Sequence, residues 1–164
     1  GLAPRGYGVL TLHRPANVDD PDALARLLAA LARAARHMPF AWPLHPRTAA
    51  RLAAFGMQAP AGVTMLPPLR YLDFLALMAQ ARLVATDSGG VQKEAFFYQV
   101  PCVTLRDETE WVELVEAGWN RLAPPISAQT VQLAIQDALG SRGQEVRPYG
   151  VGDAARRVVL SLNR

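Results

Sequence analysis

The sequence predicts an α/β fold, a doubly wound parallel sheet covered by helices on both faces. Three observations carry this. A length of 164 residues with 51% hydrophobic and 19% charged side chains suits one domain that buries its own core. Short apolar runs alternate with segments whose apolar residues recur at helical spacing, the pattern of βα units joined by right-handed crossovers. No internal repeat, low-complexity tract or linker interrupts that alternation.

Taken in order, residues 8–12 (GVLTL) form a first strand, whose ladder Pro15 stops after His13 and Arg14. Asp19, Asp20 and Pro21 supply helix-start chemistry for residues 22–37, where Leu24, Leu27, Leu28 and Leu31 share a face. His37, late in that helix, is expected to complement its dipole. Residues 40–44 repeat the strand role; His45 and Pro46 stand at its end, ahead of a helix over 48–55. Residues 63–66 make a third strand, closed by Pro67 and Pro68 and followed by a helix over 72–80. A fourth strand at 82–86 runs into Asp87, Ser88, Gly89 and Gly90, then a helix through about residue 98. Phe96, Phe97 and Tyr98 at its end are expected in the core. Residues 100–105, rich in β-branched side chains, form a fifth strand. The next helix spans 109–117, with Asp107 or Thr109 as its cap and Gly118 as its stop. A short sixth strand at 120–122 precedes helices at 128–139 and 152–162, joined by a Gly-rich loop.

Composition excludes several function classes. The net charge of +3 is scattered along helix-like segments without a basic run or aromatic–basic interleaving, so nucleic acid is not the expected partner. No apolar stretch approaches the roughly 18 residues of a membrane span. The amino end lacks the layout of a signal peptide, and its abrupt entry into a strand suggests a fragment. A single cysteine, Cys102, excludes an intrachain disulfide framework and a cysteine-clustered zinc site; it suits a reducing compartment, hence a cytoplasmic setting.

In doubly wound sheets, ligands bind outside the carboxyl ends of the strands. His13, Arg14, His45, Asp87, Ser88, Arg106 and Asp107 each stand just past such an end and are expected to line one rim. The stretch TDSGGVQKEA (86–95) is the most informative of these. The first amides of a helix lack intrahelical partners and carry partial positive charge, which favours an anion. Gly89 and Gly90 remove side chains that would keep a pyrophosphate away, and the Ser88 hydroxyl can cap the helix or donate to a phosphate oxygen. Glu94 shares a helix face with Gly90, about 9 Å along the axis from Ser88, a reach suited to the ribose of a nucleotide. A tight turn followed by a solvated glutamate explains the same residues equally well. The stretch is neither a dinucleotide fingerprint nor a P-loop. His13 and His45 fit a proton carrier or a phosphate partner, though a hydrogen-bonded structural histidine is the more ordinary reading of each. The acidic segment 106–110 reads most simply as a solvated loop and helix start.

Together, TLHRP (11–15), PLHP (43–46), PPLRYLDF (67–74), TDSGGVQKEA (86–95), RDETEWVE (106–113), EAGWN (116–120) and PYGVG (148–152) closely resemble the non-hydrolysing UDP-N-acetylglucosamine 2-epimerases. The likeness runs nearly end to end but covers only the carboxyl-terminal half of that family's chain. It implies one of the two Rossmann-like domains of a GT-B fold, with the active site in the cleft between them. The implied reaction is anti elimination of UDP from UDP-N-acetylglucosamine to give 2-acetamidoglucal, then re-addition of UDP to form UDP-N-acetylmannosamine for cell-surface polysaccharide synthesis. No metal or nicotinamide cofactor is expected. By the match, Ser88, Gly89 and Gly90 hold the diphosphate and Glu94 the ribose hydroxyls. His13, the catalytic candidate in this half, stands near the departing diphosphate. Residues 69–74, with Leu69, Tyr71 and Phe74, lie along the uracil. Arg14 is placed with the UDP ligands and, together with His45, matches positions that in bacterial members help a second UDP-sugar bind as an allosteric activator.

The departures matter as much. Ala16 stands where many bacterial relatives carry the acidic partner of that activator site, and Val151 where many have Asp. Trp111 replaces an arginine that contacts phosphate in some relatives, with Arg106 as the compensating cation. The family's acid–base carboxylates belong to the absent amino-terminal half. The expected partners are therefore UDP, UDP-sugars and that other half, with a homodimer of the full-length form left open, and the chain alone is expected to be inactive. Two alternatives stay in view: the nucleotide-binding half of a GT-B glycosyltransferase, which the HRP and DETEW segments argue against, and a non-catalytic nucleotide-sugar-binding module.

Overall fold

A computed structural model of the chain describes residues 3–162. Strands β1 (Gly8–Thr11), β2 (Phe40–Pro43), β3 (Val63–Leu66), β4 (Leu83–Thr86), β5 (Cys102–Thr104) and β6 (Asn120–Leu122) form a single sheet in the order β3-β2-β1-β4-β5-β6. Every pairing is parallel. This is the doubly wound, Rossmann-like arrangement that the strand–helix alternation predicts.

Buried parallel strands send apolar side chains to both faces, and β1 shows how. Val9 joins Tyr7, Ala41, Val84 and Cys102 in one core, while Leu10 and Leu12 join Phe40, Trp42, Ala85 and Val103 in the other. The second core is closed by α2 (Pro21–Ala34), α3 (Pro46–Ala54) and α7 (Ala128–Ala138), through Leu24, Leu27, Leu31, Leu52, Val131 and Ile135. The first is closed by α4 (Tyr71–Ala79) and α5 (Gly89–Phe97), through Met78, Val91 and Ala95. Gly8 is where the sheet is tightest: a Cβ there would lie 2.4 Å from the Phe40 ring and 2.9 Å from the Met38 methyl. Burial pushes the Cys102 thiol up to about 12, so this cysteine behaves as a small core hydrophobe.

Local chemistry sets the helix starts. Asp20 caps α2 by accepting the Asp22 N–H, Ser127 caps α7 by accepting the Thr130 N–H, and proline opens both α2 and α3. Pro15 does more than stop β1: it opens α1 (Pro15–Val18), a single turn that the sequence reading did not anticipate. Helix α3 begins two residues earlier than expected because His45 itself is the cap, its Nδ1 accepting the Arg47 N–H at 3.2 Å.

Three other expectations need correction. Helix α2 ends at Ala34, so His37 lies beyond it, exposed, and Arg33 is the basic residue in its last turn. Helix α6 covers only Val112–Glu116, with Trp111 in the cap position, because the Thr109 hydroxyl is engaged by Gln92 and by the Trp111 N–H, while Asp107 points to solvent. Phe97 and Tyr98 are 59% and 42% exposed and Phe96 is half-buried, so this cluster lies outside both cores. The last helix, α8 (Ala154–Leu162), buries none of its residues. Among the described residues, no helix is long and apolar enough to cross a membrane.

Candidate functional site

The chain leaves β1 towards β2 on one side and leaves β4 towards β5 on the other, so the sheet's switch point lies between the carboxyl ends of β1 and β4. Thr11 and Thr86 pair across it and their hydroxyls are hydrogen-bonded. Two residues beyond Thr11 and one beyond Thr86, His13 and Asp87 meet directly above. Asp87 is fully buried. It accepts the His13 N–H at 3.0 and 3.1 Å, the Arg14 N–H at 2.9 Å and the Asn17 side-chain amide at 3.1 Å, and its Oδ1 lies 2.9 Å from His13 Nδ1. Burial raises the Asp87 pKa, but the bonds from the His13 ring and the Arg14 and His13 amides outweigh it and hold the carboxyl below its ordinary range. The Arg14 side chain donates through Nε to the Asp87 carbonyl at 3.1 Å.

Helix α5 starts at this point. Ser88 is its N-cap, yet its hydroxyl makes no capping bond; its own N–H is held by Thr86 Oγ1 at 3.0 Å. The two glycines do different work. At Gly90 a Cβ would meet nothing within 4 Å, so the approach to the helix end is open there. At Gly89 a Cβ would meet Glu110 Oε2 at 3.3 Å, and the Gly89 carbonyl accepts the Trp111 indole N–H at 2.8 Å. The buried Gln92 fastens this turn from below: it donates to the Ser88 carbonyl at 3.2 Å and accepts from Thr109 at 2.6 Å and Asn120 at 3.0 Å. Glu94, one turn further along α5, faces the Tyr71 hydroxyl of α4, whose pKa is raised by hydrogen bonding to that carboxylate and by its charge.

A crevice of about 320 Å³ opens beside the helix end, lined by His13, His45, Leu69, Phe74, Ser88 and Val91 among others. Its two histidine rings lie 5.4 Å apart between centroids. The structure thus brings together in one cleft His13, His45, Leu69, Phe74 and Ser88. Gly90 and Glu94 follow on α5, and Tyr71 touches Glu94 from the side.

Arg106 stands apart from these. It is only 9% exposed, and its guanidinium is fully engaged by Glu110, at 2.9 and 3.0 Å. Glu110 also lies 3.6 Å from Arg14, and the Arg106 hydrogen bonds hold its carboxyl down at about 2. Sequence reasoning named Asp87 only as a rim residue, overlooked Gln92, and read Glu110 as part of a solvated segment, whereas Glu110 binds the buried Arg106. A glutamine on the apolar face of a helix was the one available signal for Gln92; nothing in the spacing announced the other two contacts.

Known proteins share this sequence and fold. A family model described as UDP-N-acetylglucosamine 2-epimerase matches residues 2–163. The UDP-2,3-diacetamido-2,3-dideoxy-D-glucuronate 2-epimerase of Pseudomonas aeruginosa is 42% identical over 99% of this chain and 46% of its own. The UDP-N-acetylglucosamine 2-epimerase of Methanocaldococcus jannaschii is 36% identical over 95% of this chain and 44% of its own. The crystal structure of the latter organism's UDP-GlcNAc 2-epimerase in complex with UDP-GlcNAc and UDP superposes with a TM-score of 0.86 at 35% identity, covering 96% of this chain and 45% of that one. An Escherichia coli heptosyltransferase solved with ADP shares the fold alone, with a TM-score of 0.57 at 19% identity over 80% of this chain and 44% of that one. The chain spans about half the length of the curated relatives it matches.

Proposed function

The chain belongs to the UDP-N-acetylglucosamine 2-epimerase family, and from that premise we propose that it is the UDP-binding half of an enzyme interconverting UDP-N-acetylglucosamine and UDP-N-acetylmannosamine. The observation that carries this reading is the unobstructed amino end of α5 at Gly90, opening beside a crevice lined by His13 and Phe74. Free amides at that end favour a diphosphate. Glu94 accepts the ribose hydroxyls from the same helix, and the uracil lies along Leu69, Tyr71 and Phe74.

In the reaction, a base of the amino-terminal half takes the C2 proton as the bond from C1 to the diphosphate oxygen breaks, and UDP leaves with the electron pair. Re-addition of UDP to the resulting 2-acetamidoglucal, with a proton delivered to the other face of C2, gives the epimer. The overall oxidation state is unchanged. This half-chain stabilises the charge that develops on the leaving diphosphate, through the α5 amides, Arg14 and His13. Preorganised donors of this kind serve the transition state better than the ground state, because the departing oxygen gains negative charge as the bond breaks.

A second reading concerns the sugar. The 42% identity to the diacetamidoglucuronate 2-epimerase favours a 2,3-diacetamido uronate in place of N-acetylglucosamine. One experiment tests both: the chain is assayed with each UDP-sugar, alone and together with an amino-terminal half that supplies the carboxylates. Turnover only in the completed enzyme supports the assignment, and the preferred sugar chooses between the readings. An epimer formed by the chain alone would show that the catalytic carboxylates have been placed in the wrong half. No turnover of either sugar by the completed enzyme, with UDP still bound, would leave the non-catalytic module as the reading.

A further inference from the structure

We infer that Asp87 is a positioning residue: its buried carboxylate holds the His13 ring with the proton on Nδ1 and turns Nε2 into the crevice. The role proposed for that nitrogen rests on the reading of the crevice as a diphosphate site; the tautomer itself does not.

An ionised carboxylate only accepts hydrogen bonds. Asp87 is fully buried and its pKa is lowered, so the charged form is the one this pocket maintains. Its two oxygens receive the main-chain N–H groups of His13 and Arg14 and the Asn17 amide, and Oδ1 faces His13 Nδ1 at 2.9 Å. That nitrogen must therefore carry the proton. Nε2 is left as the nitrogen offered to a ligand, on a side chain that is 38% exposed and lines the crevice.

The neighbouring ring is set the opposite way. His45 Nδ1 accepts the Arg47 N–H at 3.2 Å, so it is bare and the proton of neutral His45 sits on Nε2. Two imidazoles 5.4 Å apart thus present different faces to one cleft: His13 an Nε2 that can take up a proton, His45 an Nε2–H that can only donate. When His13 Nε2 takes a proton from solvent, the new imidazolium stays 2.9 Å from a carboxylate that is already ionised and can donate to the leaving diphosphate. When it returns that proton to a diphosphate oxygen, the ring goes back to the same tautomer and is ready for the reverse step. This asymmetry suits a reversible departure and return of a diphosphate, in which one group must accept and release a proton in turn.

A purely structural Asp87, tying the β1 and β4 loops together, predicts the same hydrogen bonds but not the same spectrum. The test is nitrogen NMR of the chain with labelled histidines, in which protonated and bare ring nitrogens resonate apart. The ring of His13, assigned by its loss in His13→Gln, should show a protonated Nδ1 and a bare Nε2, and the ring of His45 the reverse. Asp87→Asn can turn its amide N–H₂ towards Nδ1, so it should move His13 towards the Nε2–H form and weaken UDP binding by about tenfold, the order of one charge-assisted hydrogen bond. Asn17→Ala removes a donor from the same carboxylate without touching the ring, and should leave the tautomer as it is. A wild-type His13 protonated on Nε2, or an Asp87→Asn spectrum identical to wild type, overturns the inference. If Asp87→Asn does not fold, the wild-type and Asn17→Ala spectra still decide it. Wild-type chain that shows the expected tautomer but binds no UDP would sink the proposed function and leave the Asp87–His13 assignment standing.

Discussion

Glu110 Oε2 lies where a Cβ on Gly89 would come within 3.3 Å, so a carboxylate rests against the same helix end that is assigned to the diphosphate. The same group binds Arg106 through both oxygens and stands 3.6 Å from Arg14. Arg106 and Arg14 thus face an internal anion beside the first turn of α5. A diphosphate bound there, as we propose, would compete with it for Arg14 and for the helix dipole.

Glu110→Gln should therefore raise UDP affinity several-fold while lowering thermal stability, since Arg106, whose side chain is only 8% exposed, then keeps a neutral acceptor in place of a bidentate carboxylate. Titration calorimetry and thermal unfolding of the same sample measure both. A fall in affinity would mean that Glu110 orients the arginines for the ligand instead of occupying them.

Trp111 holds the loop that carries Glu110 in place by donating its indole N–H to the Gly89 carbonyl, and Lys93 Nζ sits 4.3 Å from the centre of its ring. Trp111→Phe keeps an aromatic under the lysine but removes the donor. The expected cost is about 1 kcal/mol of stability, that of one hydrogen bond. Urea unfolding checks it; an unchanged midpoint would show that the strap contributes nothing.

Gly8→Ala tests the packing of the sheet. The added methyl would collide with Phe40 at 2.4 Å and with Met38 at 2.9 Å, and the ring is buried with nowhere to retreat. Overpacking of this kind costs about 1–3 kcal/mol. A neutral result in the same urea experiment would mean that β1 and β2 are less rigidly seated than their register suggests.

The Asp87 carboxyl makes stability depend on acid. Its folded pKa lies below the ordinary value, so the stability it contributes is complete above an unfolded pKa of about 4 and is lost as pH falls through the folded value. Stability measured from pH 5 downward should decline more steeply for wild type than for Asp87→Asn, which has no proton to take up there. Parallel curves would remove Asp87 from the account of acid unfolding.

Much of the fold was legible because it rests on local pattern. Helix α5 follows β4 as expected, although it begins at Gly89 with Ser88 as cap, so that the two glycines form its first turn instead of preceding it, and β3 and β6 match their expected spans. What escaped detection depends on partners distant in sequence. Asp87 meets His13 across 74 residues, and Gln92 takes the Thr109 hydroxyl that would otherwise have started α6 earlier. Phe97 and Tyr98 read as core by composition, yet α5 turns them outward because Val91 and Ala95 already occupy its inner face. The site was legible as a rim of residues past strand ends, while the ion pairs that set its charge were not.

The placement of UDP at the amino end of α5 is tested most directly by calorimetric titration of wild type, Gly90→Val and Glu94→Ala with UDP. We expect weak but measurable binding by wild type and none by either variant, since the valine fills the open approach at residue 90 and the alanine removes the ribose acceptor. Equal heats of binding from all three proteins would contradict the account.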